Sequence, residues 1–154
     1  MNVNDIRALC EKDYGDVSFP PDNMYETYKV NNRFTIFVGP PGSGKTSKAT
    51  SMSTLSISCF VYDATDMKYL FKNLTYDGVT KTSSFQHSAL WKAIENGETV
   101  LFDEIDALTD DTISLLIQLT ESDTGYAEID GEEIKVNPEF KIIATISPKT
   151  HFKF

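Results

Sequence analysis

The chain has 154 residues with 40% apolar content, enough for one domain around a single core. Its 14 basic against 23 acidic residues give a formal charge of -9, which opposes nonspecific attraction to nucleic acid or anionic membranes; the lysines are scattered and the only arginines are Arg7 and Arg33. Cys10 and Cys59 lack metal-ligand spacing and a disulfide framework and read as small core residues, and no leader-like N-terminus or membrane-length apolar run is present, so a cytosolic, membrane-free setting is expected.

Asn2, three residues before Asp5, predicts a capped helix carrying Ile6, Leu9 and Cys10 and ending near Gly15. Phe19-Pro20-Pro21-Asp22 breaks it. Phe34-Thr35-Ile36-Phe37-Val38 is a short apolar run that favours strand, and residues 45–52, free of Gly and Pro, favour helix. Between them, Gly39-Pro40-Pro41-Gly42-Ser43-Gly44-Lys45-Thr46 fits G-x-x-x-x-G-K-[ST] at the strand-to-helix turn that this pattern requires. A strand is predicted over 56–62, a turn at 63–65, a short helix over 65–74 and a loop or insert over 76–80. Helix returns over 84–96, with Leu90, Ala93 and Ile94 on one face and Gly97 as its stop. A buried strand at 99–102, a helix at 110–121, strands at 126–129 and 133–136 joined by Asp130-Gly131, and a last strand at 141–146 complete the series. Strand alternating with helix argues for an α/β fold with a mostly parallel sheet.

The glycine-rich loop has one chemistry. Its glycines let backbone N–H groups turn inward around phosphates, and the following helix presents its positive end to them. Lys45 is expected at the β- and γ-phosphates, Thr46 on Mg²⁺, and Ser47 completes the nucleotide-binding set that begins at Gly39. Pro40 and Pro41 stiffen the approach to the loop by fixing φ. Thr99-Val100-Leu101-Phe102 then ends in Asp103-Glu104, the form of a Walker B strand. Asp103 is expected to hold Mg²⁺ and its waters, and Glu104 to deprotonate a water attacking the γ-phosphate, which points to hydrolysis rather than transfer to a small molecule.

Beyond these motifs the chain resembles the AAA+ ATPases, and within them the MoxR-like group that includes the ATPase subunit of cobaltochelatase. Asp103-Glu104-Ile105-Asp106-Ala107 resembles that group's Walker B; Leu90-Trp91-Lys92-Ala93 through Asn96-Gly97 resembles the helix leading into it. Glu128-Ile129-Asp130-Gly131-Glu132 and residues 137–145 resemble its hairpin and sensor strand, so the similarity runs over about 34–148. The resemblance implies a P-loop NTPase three-layer sandwich over 34–154, preceded by an N-terminal helix and lead-in over 1–33. It implies ATP and Mg²⁺ as ligands, a homo- or hetero-oligomeric ring, and a protein partner remodelled by hydrolysis.

Two departures qualify it. The sensor strand of the family usually ends in Asn, and the matching position here is Ser147, whose shorter hydroxyl still donates a hydrogen bond; Thr145 is the other candidate. The chain also stops at Phe154, before the family's arginine finger, fifth strand and helical lid, so slow hydrolysis is expected unless another chain supplies the cation. The outer edge of the 34–38 strand should then be covered by the N-terminal segment, a neighbouring chain or a separate polypeptide. Two other functions stay open: a nucleotide-dependent switch or assembly module with little turnover, and a DNA-remodelling subunit, which the charge of -9 disfavours by direct contact. The resemblance also puts Arg33 and residues 25–32 near an adenine and lets the 130–133 hairpin tip meet a substrate polypeptide, whereas His87 and His151 read as surface or packing residues and Trp91 as core.

Overall fold

The computed structural model describes residues 1–13, 23–62 and 67–148. The Gly15 helix stop, the break at 19–22, the 63–65 turn and His151 lie outside the described residues. In chain order the elements are α1 (Val3–Leu9), β1 (Glu26–Asn31), β2 (Phe34–Val38), α2 (Lys45–Ser51), β3 (Leu55–Ser58), α3 (Lys68–Phe71), β4 (Lys72–Asp77), β5 (Thr82–His87), α4 (Ala89–Asn96), β6 (Thr99–Asp103), α5 (Asp110–Glu121), β7 (Tyr126–Ile129), β8 (Glu132–Lys135) and β9 (Lys141–Ile146). No helix among the described residues is long and apolar enough to cross a membrane.

Five strands form the central sheet in the order β1-β2-β9-β6-β3. β2, β9, β6 and β3 are mutually parallel, with Ile36 opposite Ala144 and Phe102 opposite Ala144 and Ile57. The apolar runs of β2, β9 and β6 are largely buried on both faces, as a parallel sheet flanked by helices demands, while β3 at the sheet edge is half-exposed. Phe34, Ile36, Val38, Val100, Phe102, Ile142 and Ala144 join the main core beneath α4 and α5, while Phe37, Leu101 and Ile143 pack with Ala49 of α2 on the opposite face. The expected mostly parallel three-layer α/β sandwich is therefore what forms.

The outer edge of β2 is covered from within the chain. β1 pairs with it antiparallel, Tyr28 opposite Ile36, with a register shift between Lys29 and Asn31. α1 begins with the expected reciprocal cap, the Asn2 side chain accepting from the Asp5 N–H and Asp5 accepting from the Asn2 N–H, and it drives Ile6 fully into the core.

The predicted pattern shifts between α3 and α4. Among the described residues, only Lys68–Phe71 is helical where 65–74 was expected, and residues read as a loop and as the first turn of a helix are β4 and β5 of a hairpin, Leu74 opposite Phe85. Ser88 caps α4, which begins later than the expected residue 84: its hydroxyl accepts the Trp91 N–H and donates to the Leu70 carbonyl. His87 stacks on Trp91 at 4.0 Å between ring centres, and its Nε2 lies 2.7 Å from the Glu132 carboxylate. Asp130 and Gly131 take positive φ between β7 and β8, giving the expected tight hairpin.

Arg33 sits at the N-terminal end of β2, remote from the phosphate loop, and donates to the carbonyls of Phe140 (2.9 Å), Asn137 (2.8 Å) and Thr120 (3.3 Å). It is a structural tie, which corrects its expected place near an adenine. Arg33→Ala leaves these acceptors without their donor and is expected to cost about 1–3 kcal/mol in urea unfolding, with nucleotide affinity unchanged.

Candidate functional site

Because β2, β9, β6 and β3 run in parallel, their C-terminal ends open onto one edge of the sheet, the place where ligands bind in open α/β folds. Four segments meet there: the loop after Val38, Asp103-Glu104 after β6, Ser147 after β9 and a 3-10 turn, Cys59–Tyr62, after β3. Pro41, Gly42, Lys45, Thr46, Phe60, Glu104 and Ser147 line a cleft of about 370 Å³.

The loop adopts its turn through Gly42 (φ 83°) and Gly44 (φ 89°), a left-handed region open to glycine at little cost. Gly44 caps α2, whose first three residues are Lys45, Thr46 and Ser47. The Gly39 N–H continues the ladder to the Ile146 carbonyl, and the Pro40 carbonyl accepts from the Ser43 N–H. Gly39 is held tightly: an added Cβ would lie 2.7 Å from Tyr25 Cβ and 2.8 Å from the Met24 oxygen. Gly39→Ala is therefore expected to destabilise by about 1–3 kcal/mol, read from the denaturation midpoint. Ser43 is fully buried, and its Oγ finds no partner among the described residues.

Lys45 is also buried, and among the described residues its Nζ donates only to the Pro40 carbonyl, at 3.3 Å. Burial pulls its ammonium below the ordinary lysine range, while Glu104, Asp103 and Asp106 work in the opposite direction. The Thr46 hydroxyl donates to Asp103 Oδ1 at 3.3 Å. These are hard oxygen donors, and Thr46 is exposed to solvent, so a small divalent cation keeping several waters fits the pair. Ser47 is exposed on α2 and does not line the cleft.

Glu104 has φ 57° and ψ 58°, a left-handed conformation unusual for a non-glycine residue. Thr145 organises it: the threonine hydroxyl donates to Asp103 Oδ1 at 2.6 Å and accepts the Glu104 N–H at 3.0 Å. Ser147 Oγ donates to Glu104 Oε1 at 2.9 Å. Burial pushes the Glu104 carboxyl above the ordinary range against the Ser147 bond, Asp106 and Asp103 push it further, and Lys45 pulls it back.

Lys45, Thr46, Asp103, Glu104 and Ser147 thus come together from three separate stretches of chain, with Gly39 to Gly44 wrapped beside them. Residues 35–153 match the AAA domain (dynein-related subfamily), which covers most of the chain. The chain belongs to the dynein-related AAA family. Domains of this family bind nucleotide through a P-loop and are generally ATPases. Among curated proteins, Midasin from Dictyostelium discoideum is 30% identical over 115 residues, which is 71% of this chain and 2% of that protein. The chain therefore spans a small part of this relative's length.

Two contributions escaped the sequence reading. Phe60, more than half exposed, forms a wall of the cleft from the turn after β3; no motif announces it. Cys59 beside it is fully buried, as its reading as a core residue expects, and burial followed by the field of Asp103 raises its thiol pKa. Thr145 had been read only as an alternative sensor, whereas its hydroxyl bridges Asp103 and the Glu104 backbone.

Proposed function

We propose that this AAA domain binds Mg-ATP and hydrolyses it, in a MoxR-like arrangement in which an oligomer couples hydrolysis to remodelling a protein partner in the cytoplasm. The observation that carries the reading is the 2.9 Å hydrogen bond from Ser147 to Glu104 at the cleft that Lys45 also lines. It holds one carboxylate oxygen and leaves the other free to take a proton.

In this reading Lys45, under-partnered in its buried position, engages the β- and γ-phosphates, and the backbone N–H groups near Gly42 and Gly44 cradle them. Thr46 and Asp103 would hold Mg²⁺, which supplies charge neutralisation on the phosphate oxygens. Thr145 fixes the Asp103 carboxylate and the Glu104 backbone together. Glu104 accepts the proton of the attacking water; its raised pKa makes it a better base than an exposed carboxylate. Ser147 orients that carboxylate.

A second reading is favoured by the same bond. With its hydroxyl committed to Glu104, Ser147 is not free to sense the γ-phosphate, as a nucleotide-dependent switch with little turnover would allow. Phosphate release measured against protein concentration, with and without chelation of Mg²⁺, separates the two. Specific activity that climbs with concentration and disappears on chelation supports an assembling ATPase. Saturable Mg-ATP binding with no release at any concentration supports the switch.

A further inference from the structure

We infer that Arg7 is a positioning residue for Glu104: it fixes the backbone that follows the base and so makes the N-terminal helix a control point for hydrolysis. The inference rests on the reading of Glu104 as base. Arg7 lies on α1, outside the segment that matches the AAA family. Its guanidinium donates Nη1 to the Asp106 carbonyl at 2.6 Å, Nη2 to the Leu108 carbonyl at 2.6 Å and Nε to Asp110 Oδ1 at 2.7 Å. All three acceptors lie just downstream of Glu104: two are carbonyls of the loop between β6 and α5, and the third is the side chain of the first residue of α5.

That loop has work to do, because a glutamate in the left-handed region keeps its conformation only where its surroundings over-determine it. Upstream, the Glu104 N–H is tied to Thr145. Downstream, a tight turn uses the Ala107 N–H on the Glu104 carbonyl and the Leu108 N–H on the Ile105 carbonyl, both at 3.0 Å. Arg7 grips the Asp106 and Leu108 carbonyls and the first residue of α5, closing the turn from the far side. The planar fork suits this task, since an ammonium cannot span the acceptors with the same geometry. α1 in turn is anchored by Ile6, fully buried in the main core. A shift of α1 is therefore transmitted to the turn that aims the Glu104 carboxylate at Ser147, and an error of about 1 Å in such an aim can cost about 100-fold in rate.

The test compares the wild-type 154-residue chain with Arg7→Lys, Arg7→Ala, Ile6→Val and Glu104→Gln in steady-state hydrolysis, Mg-ATP binding and amide hydrogen exchange. Expected is a kcat reduced about 10- to 100-fold in both Arg7 variants, with KM and Mg-ATP Kd within about twofold, and faster exchange at the Ala107 and Leu108 amides. Ile6→Val, which removes one buried methylene and leaves α1 in place with all three Arg7 bonds, controls for lost stability alone: it should lower stability without this kcat loss. If Arg7→Ala fails to fold, Arg7→Lys carries the same comparison. An Arg7 variant with wild-type kcat, while Glu104→Gln is inactive, overturns the positioning role alone. A Glu104→Gln variant as active as wild type overturns the base assignment and the inference with it.

Discussion

Glu104→Gln is expected to lower phosphate release by about 10²- to 10⁴-fold, the usual contribution of a positioned general base, while Mg-ATP still binds. The amide keeps the side-chain length and an oxygen that can accept the Ser147 hydroxyl, so the cleft keeps its shape, but it cannot take a proton from water. The same variant should be more resistant to unfolding than wild type at neutral pH in the absence of nucleotide. Burial raises the folded-state pKa of Glu104, so the unfolded chain releases this proton at lower pH than the folded one. The stability this group contributes is fully present below the ordinary glutamate range and is lost as pH rises through its folded pKa. The gain from Glu104→Gln should therefore shrink towards zero on acidification below that range. Thermal unfolding of both proteins across acidic to neutral pH measures it; equal midpoints at every pH would show that the carboxylate carries no burial penalty.

Lys45→Met is expected to weaken Mg-ATP binding by about 2–5 kcal/mol, the loss seen when one partner of a buried charge pair is removed. That is roughly 30-fold to several thousand-fold in Kd. Without nucleotide the effect reverses. Lys45 is buried with a single 3.3 Å hydrogen bond, and burial lowers its pKa, so its ammonium is a local liability until an anion arrives. Methionine fills similar volume with no charge and should raise the melting temperature of the nucleotide-free protein. The pH signature is opposite to that of Glu104. A lysine depressed in the folded state makes wild-type stability rise as pH climbs from its folded pKa towards the ordinary lysine value, and this rise should be missing in Lys45→Met. Calorimetry with and without Mg-ATP reads both effects, and unchanged affinity would remove Lys45 from the phosphate site.

How much of this was legible depends on how far each constraint reaches along the chain. The phosphate loop was readable because left-handed turns at Gly42 and Gly44 demand glycine in a fixed spacing. β6 and the β7–β8 turn were readable for the same local reason: an apolar run ending in acid, and Asp130-Gly131 between β-favouring stretches. The β4–β5 hairpin was not, because its residues are largely exposed on both faces and so lack the buried period that marks a strand. Arg33 and Arg7 spend their donors on carbonyls about a hundred residues away, and nothing in their flanking sequence names those partners. The Thr145 bridge to Asp103 depends likewise on two strands being neighbours in the sheet, a fact of topology rather than of spacing.

The antiparallel strand β1 also bears on how this protein behaves when concentrated. It turns charged Glu26 and Lys29 outward, Glu26 held by Lys12, and its pairing is interrupted between Lys29 and Asn31. A charged, kinked margin is a poor template for stacking further strands. On that flank the sheet terminates itself, so growth into fibres from β1 is discouraged even though the strand beneath it, Phe34–Val38, is among the most apolar in the molecule.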